Sequence, residues 1–408
     1  MYSCNALFMA SICFYFQLHQ PYRLGDFDLF DLGIGEADYF AASKNYNQKI
    51  FQKVAQKSYL PMLALLLQLT KVHENFKFTL SATGIFLEQA QDFAPQVIEL
   101  LQSLAATGQV EFLSETYHHT LASLYSPTEF AAQVKLHRQV IKKLFNLEPK
   151  VFRNTELVYS NQIAELVAEL GFAGMLTEAV PRYLGERPKT QVYWSQGEEA
   201  LPLLLKHAQL SDDIAFRFSQ KSWAGYPLTA DKYYHWLTQY YPDELINLFM
   251  DLETFGEHQW EDTGIFKFFE FLIDLISNDE RMQFVTPSEV FGKLKVKSYE
   301  SKVYDVPEPI SWADVDRDLT AWIDNPLQQD CLSKLYELEI PIKQIPNSKL
   351  LETWRRLQTS DHFYYMCTKW AADGDVHAYF SPYESPLEAY RKFSIVLADL
   401  TSRLASTL

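Results

Sequence analysis

The sequence is short of glycine, of cysteine and of positive charge. With 14 glycines in 408 residues, and neither a Gly-rich phosphate loop nor a G-x-S-x-G elbow among them, no nucleotide cofactor and no elbow-type serine nucleophile is expected. The four cysteines, Cys4, Cys13, Cys331 and Cys367, form no C-x-x-C pair, which removes the usual redox and zinc motifs and makes a reducing compartment the simple reading. The 36 Lys and Arg are outnumbered by 52 Asp and Glu, and no basic stripe breaks the acidic background of net charge −16. Nucleic acid and anionic membrane surfaces are therefore disfavoured as partners, and a neutral substrate is expected. No Lys or Arg precedes Arg23, so the apolar opening MYSCNALFMASICFYF lacks the charged start of a signal peptide, and QLHQPYR interrupts it before it reaches the length of a bilayer span. The expectation is a soluble, cytoplasmic protein.

Aromatic residues, in contrast, make up 15% of the chain, which is high for an average globular domain and leaves rings available as platforms for half-apolar ligands such as sugars. Short β-rich runs alternate with longer amphipathic segments through roughly the first 290 residues. Expected strands are 11–17, 76–82, 110–115, 150–155, 173–178, 213–219, 245–251 and 282–288; the segments PQVIELLQSLAAT, PTEFAAQVKLHRQVIKKLF, NQIAELVAELG and GIFKFFEFLIDLIS between them read as helices. Such βα repetition implies a closed parallel barrel or a large doubly wound sheet. The proline-bearing YDVPEPI at 304–310 marks a change, after which helices are expected at 312–323, 327–339, 348–370 and 385–405. The expected division is a catalytic domain over 1–303 and a helical domain over 304–408.

Almost every expected strand ends in a polar or ionisable residue: Gln17 and His19, Ser81, Glu115, Asn154 and Glu156, Glu178, Ser219, Asp251 and Glu253, Ser288 and Glu289. In a parallel barrel these ends share one face. Helix capping explains many of them, Ser288 above all. It explains Glu156 and Asp251 less well, because loop residues separate each from the next helix, and two such carboxylates suit a general acid and a nucleophile. A metal site is the rival reading, with His19, one of the adjacent His118 and His119, Asp251, Glu253 and His258 as donors. No H-E-x-x-H or similar tight spacing supports it, so no metal is expected.

Five segments in order carry a resemblance: FQLHQPYRL at 16–24, GQVEFLSETYHHT at 108–120, VFRNTELVYS at 151–160, NLFMDLETFGEHQW at 247–260 and FVTPSEVF at 284–291. The tail segments WRRLQTSDHFYYMCTKW and VHAYFSPYESPLEAY extend it over nearly the whole chain. The sequence resembles glycoside hydrolase family 57, most closely its α-amylase-like branch. That resemblance implies an α/β fold, an incomplete (β/α)7 barrel with parallel strands followed by a C-terminal helical bundle. It implies an enzyme acting on α-1,4-linked glucans with retention of configuration and without a cofactor. Glu156 then stands as the catalytic nucleophile and Asp251 as the general acid/base, with His19, His118, Glu111, Glu253 and His258 as substrate-binding residues. Glu111 is equally readable as a buried structural carboxylate. Trp223 is the leading aromatic platform, with Trp260 and Trp312 behind it, and Asp361 and His362 are within reach from the helical part. A 4-α-glucanotransferase and a metal-dependent, deacetylase-like hydrolase are the alternative readings.

Overall fold

The computed structural model describes residues 9–34, 38–41, 46–241, 245–294, 302–369 and 381–407. Ten strands occur among them: β1 Ala10–Leu18, β2 Phe78–Ala82, β3 Val110–Phe112, β4 Phe152–Arg153, β5 Met175–Glu178, β6 Val192–Ser195, β7 Pro202–Lys206, β8 Leu245–Asp251, β9 Met282–Phe284 and β10 Val303–Tyr304. β1 is central. It pairs in parallel with β8 along one edge, and with β2 and β9 at opposite ends of the other. Both of its faces are covered, which is why ASICFYFQL reads as a nearly unbroken apolar run rather than an alternating one.

β3 extends this sheet beyond β2, while β4, β5 and β7 form a second parallel set, flanked by β6 antiparallel to β7 and by β10. Two narrow seams join the sheets. Ser114 bridges to Phe152, with Arg153 N–H donating to the Ser114 carbonyl at 2.9 Å. Across the other seam His207 N–H donates to the Asn247 carbonyl at 2.8 Å, and the Asn247 amide returns a bond to the Leu205 carbonyl at 2.9 Å. The result is a ring of seven parallel strands in the order β1-β2-β3-β4-β5-β7-β8, thin at two places. Tyr15, Leu113, Leu176, Leu204 and Phe249 fill its interior, so the ring encloses a packed core, not a pore.

Two sequence expectations fail here. Residues 213–219 are not a strand: His207 caps a helix, Ala208–Ala215, which buries Leu210 and Ile214 one turn apart. The alternation in DIAFRFS imitated a strand, and the true one is the preceding run PLLLK, all of it buried. Ser219 is accordingly at no strand end. Residues 312–323 are helical only over Thr320–Ile323, and the rest is a loop laid across the open end of the ring.

Beyond that loop the described residues are mainly helical, with Pro326–Glu337, Ser348–Leu357, Ser360–Tyr364 and Pro386–Ala405 as the main pieces, so the helix expected over 348–370 is broken at Gln358 and Thr359; part of the tail resemblance, residues 370–380, lies outside the described residues. Trp322, Trp354 and Phe393 share one core with Phe152, Met175 and Leu203 of the ring. Polar ties fix the docking: Arg355 pairs with fully buried Glu129 at 2.8 Å, and Ser360 N–H donates to the His119 carbonyl at 2.9 Å. Lys343 pairs with the same carboxylate at 2.8 Å, so two cations of the helical part compensate its buried charge. No helix among the described residues is long and apolar enough to cross a membrane.

Candidate active site

A cleft of about 650 Å³ opens at the carboxyl ends of the ring strands. Its lining takes Gln17 and His19 from β1 and the turn after it, His119 from the segment after β3, and Arg153 and Glu156 from β4 and its turn. Lys206 enters from β7, Asp251, Glu253 and His258 from β8 and beyond, and Trp312, Arg317 and Asp361 from the C-terminal part.

Glu156 and Leu157 both have left-handed backbones, at φ 54° and 52°. Side chains rarely adopt this region, and such strain persists only where the surroundings impose it. Here the Asn154 amide ties the turn to the Val158 carbonyl at 3.0 Å, and Trp312 N–H reaches the Glu156 carbonyl at 3.2 Å. The carboxylate so displayed accepts from the Trp312 indole at 2.8 Å, from His119 Nε2 at 3.1 Å and from the Ser360 hydroxyl at 3.2 Å. His119 lies between two carboxylates, with Nδ1 3.5 Å from Glu115. Burial alone would lower the pKa of His119, but the bonds to Glu115 and Glu156 outweigh it and raise it to about 9. Burial pushes Glu156 the other way; His119 and then Arg153 overcome it and hold this carboxyl below its ordinary range.

Conditions are reversed on β8. Asp251 stands level with Gln17 of β1. Burial raises its pKa, Arg153 opposes the rise, Glu156 adds to it, and the net direction is upward. Glu253 is raised further by burial and by Asp251, and accepts the Tyr59 hydroxyl at 2.5 Å. The turn carrying it depends on Gly256, at φ 107°, where a Cβ would meet the Lys57 carbonyl oxygen at 1.9 Å. At the cleft wall His19 Nε2 donates to the Asp361 carboxylate at 2.9 Å, and the His19 ring stacks on His119 with ring centroids 3.9 Å apart. Burial, then the His119 charge, keeps His19 neutral despite Asp361.

Glu156, Asp251, His19, Glu253 and His258 are thus brought together, along with Trp312 and Asp361. Three expected substrate-binding residues are not. Glu111 lies inside the ring and binds the Ser288 N–H at 2.9 Å, capping the helix Pro287–Gly292. His118 is fully buried, between Gln133 at 2.9 Å and Glu352 at 3.0 Å; β3 ends at Phe112, so the two histidines sit in a turn, and it is His119 that faces the cleft. Trp223 packs against Trp236 beside a separate groove, because the segment read as the strand before it is a helix. Trp260 is exposed under Lys57, and His362 packs against Phe40 and Phe393. Arg153, Lys206 and Arg317 were missed. Arg153 stood three residues before Glu156 in a quoted motif, whereas Lys206 depended on finding β7. Among the described residues no group of three His, Cys, Asp or Glu is placed to hold a metal ion, and His118, one of the proposed ligands, faces away from Asp251.

One carboxyl with its pKa lowered and another with its pKa raised to about 6, at the open end of a parallel strand ring, form the pairing by which a glycoside hydrolase works. The sequence model of Glycosyl hydrolase family 57 matches residues 13–307, and the chain belongs to that family. It is 40% identical over 397 residues to a candidate alpha-amylase of Methanocaldococcus jannaschii, an alignment that covers 95% of this chain and 83% of that one. It is 23% identical over 258 residues to the alpha-amylase of Pyrococcus abyssi, where it spans only 37% of the longer protein. Among solved structures, the family 57 branching enzyme of Thermococcus kodakaraensis superposes with a TM-score of 0.70 at 14% identity, over 97% of this chain and 90% of that one. The alpha-amylase AmyC of Thermotoga maritima gives 0.63, also at 14% identity, over 98% and 94%.

Proposed function

We propose that this enzyme cleaves α-1,4-glucosidic bonds of starch, glycogen or maltooligosaccharides by double displacement, with Glu156 as nucleophile and Asp251 as general acid/base. The observation that carries this reading is the opposite bias of the two carboxyls. Ionised Glu156 attacks the anomeric carbon while Asp251 gives its proton to the departing glycosidic oxygen. Ionised Asp251 then takes a proton from water, and the water oxygen releases the sugar from Glu156. His19, Glu253 and His258 are assigned to the sugar hydroxyls, and Trp312 both orients Glu156 and offers a ring to the bound chain. Trp312, Arg317, Trp322, Asp361 and Tyr365, from the part of the chain after 303, form one wall of the cleft.

Transfer to a second sugar, as in a 4-α-glucanotransferase, is the second reading. Phe216 and Val315, 60% and 80% exposed, form an apolar lip on which an acceptor chain can compete with water. Chromatography of products from a maltooligosaccharide series separates the two, since transfer yields chains longer than the substrate. The same assay on Glu156→Gln tests the assignment: cleavage is expected to fall by at least about 10³-fold, and an unchanged rate removes Glu156 from the chemistry.

A further inference from the structure

Arg153 is completely buried, and none of its three guanidinium nitrogens has a hydrogen-bond partner among the described residues. The other cations of the cleft are committed. His119 pairs with Glu115 and Glu156, Lys206 with Asp212 at 3.0 Å, Arg317 with Asp212 at 3.1 Å and Arg217 with Asp213 at 2.6 Å, while Arg23 donates to the Gln20 side-chain oxygen at 3.3 Å. Arg153 instead lies against rings, its charge 4.7 Å from the centroid of Trp312 and 6.0 Å from that of Tyr15. Aromatic faces fix a guanidinium in place without using its donors. Burying such a charge with its donors unspent costs stability, so packing alone gives no reason for it. The side chain lines the same cleft as Glu156 and Asp251, and its field reaches both.

We infer that Arg153 is the counter-ion of the reaction's second half: its free donors take up the Asp251 carboxylate once the proton has left for the departing sugar. The inference rests on the assignment of Glu156 and Asp251 made above. The opposite shifts of the two carboxyls favour the reactive arrangement in which the negative charge is on Glu156 and the proton on Asp251. In the first step a bond forms between Glu156 and the anomeric carbon, the bond to the leaving oxygen breaks, and that oxygen gains the Asp251 proton. The negative charge has then crossed from Glu156 to Asp251. His119 is held between Glu115 and Glu156, too far committed to follow. Facing Asp251 are Glu156 after β4, His119 after β3, Lys206 on β7 and Glu253 on its own turn; Lys206 is tied to Asp212 and the carboxyls repel, which leaves Arg153. When Asp251 recovers a proton from water, Arg153 is released to its starting state.

Arg153 is thus a positioning residue, and the readouts must separate it from a structural one. An aryl α-maltotrioside with an activated leaving group needs no proton for the first step, so its turnover reports the second. In Arg153→Met that turnover is expected to fall by about 10²-fold, the magnitude of general base assistance, with the covalent glycosyl-enzyme accumulating in mass spectra. With maltooligosaccharides, whose first step needs the Asp251 proton, the basic limb of kcat/KM is expected to move up by about one pH unit or more, further than the acidic limb, because loss of the cation destabilises ionised Asp251 most. Arg153→Lys keeps the charge but not the fork, and is expected to shift the basic limb upward by less; if the Met variant does not fold, this variant decides alone. A basic limb left in place, with both steps slowed equally, overturns the inference. Full activity in Glu156→Gln overturns the assignment beneath it instead, so the two failures are distinguishable.

Discussion

Glu156 after β4 and Asp251 at the end of β8 line the same cleft, yet their surroundings push them in opposite directions. Both are buried enough for desolvation to favour the neutral acid. Around Glu156 the His119 hydrogen bond and charge, and then Arg153, reverse that tendency; around Asp251 burial and a neighbouring carboxyl prevail over Arg153. The lesson is that burial sets a common starting point, and the donors that reach each carboxyl decide its protonation. The His119 charge is held on one side by Glu115, so the asymmetry is built into the fold before any substrate arrives.

The hardest way to break the contrast is to remove the proton donor. Asp251→Asn should lower cleavage of maltooligosaccharides by about 10²- to 10⁴-fold while leaving the first step on an activated aryl substrate much less affected. Equal loss on both substrates in kcat/KM, or in the pre-steady-state burst of aryl release, would remove Asp251 from acid catalysis. Next is His119→Gln, which removes the cation from the Glu156 side. Without it burial raises the Glu156 pKa, so the acidic limb of kcat/KM should move to higher pH, together with a loss of about 10-fold or more at neutral pH.

His119 also makes a stability statement. Its folded pKa of about 9 exceeds an unfolded value of about 6.5, so its contribution is complete below the lower value and is lost as pH rises through the higher one. Melting temperature in the wild type should fall over that window, and in His119→Gln the fall should be smaller. Trp312→Phe sharpens the comparison at lower cost: it deletes one N–H to Glu156, worth about 1.5–3 kcal/mol for a charged partner, and should reduce kcat/KM by about 10- to 10²-fold with the melting temperature little changed. The smallest expected effect belongs to Trp223→Ala, which lies at the separate groove and should leave kcat/KM for maltooligosaccharides within about twofold of the wild type.

Legibility in the sequence followed burial. β1 and β8 are covered on both faces, so their apolar runs are long and unmistakable, and β8 is found at its own bounds, 245–251. β4 has only two paired residues, and β7 was passed over for an alternating segment that folds as a helix. The same holds for the site. Glu156 and Asp251 stood out because each follows a buried run and interrupts it with a charge. Choosing between His118 and His119 required the turn after β3, where strand alternation no longer applies.

By itself, then, the sequence determined the alternation of strands and helices, the family resemblance and the two carboxyls, since each of these is local in the chain or carried by short motifs. Tertiary structure decided the partners. Trp312 and Ser360 reach Glu156 from 156 and 204 residues away, and Asp361 reaches His19 from 342. Contacts of that separation depend on how the helical part docks on the ring, and no local pattern encodes it. The opposite pKa shifts of the two carboxyls likewise depend on burial and on groups from other strands, so they arise only when the chain folds.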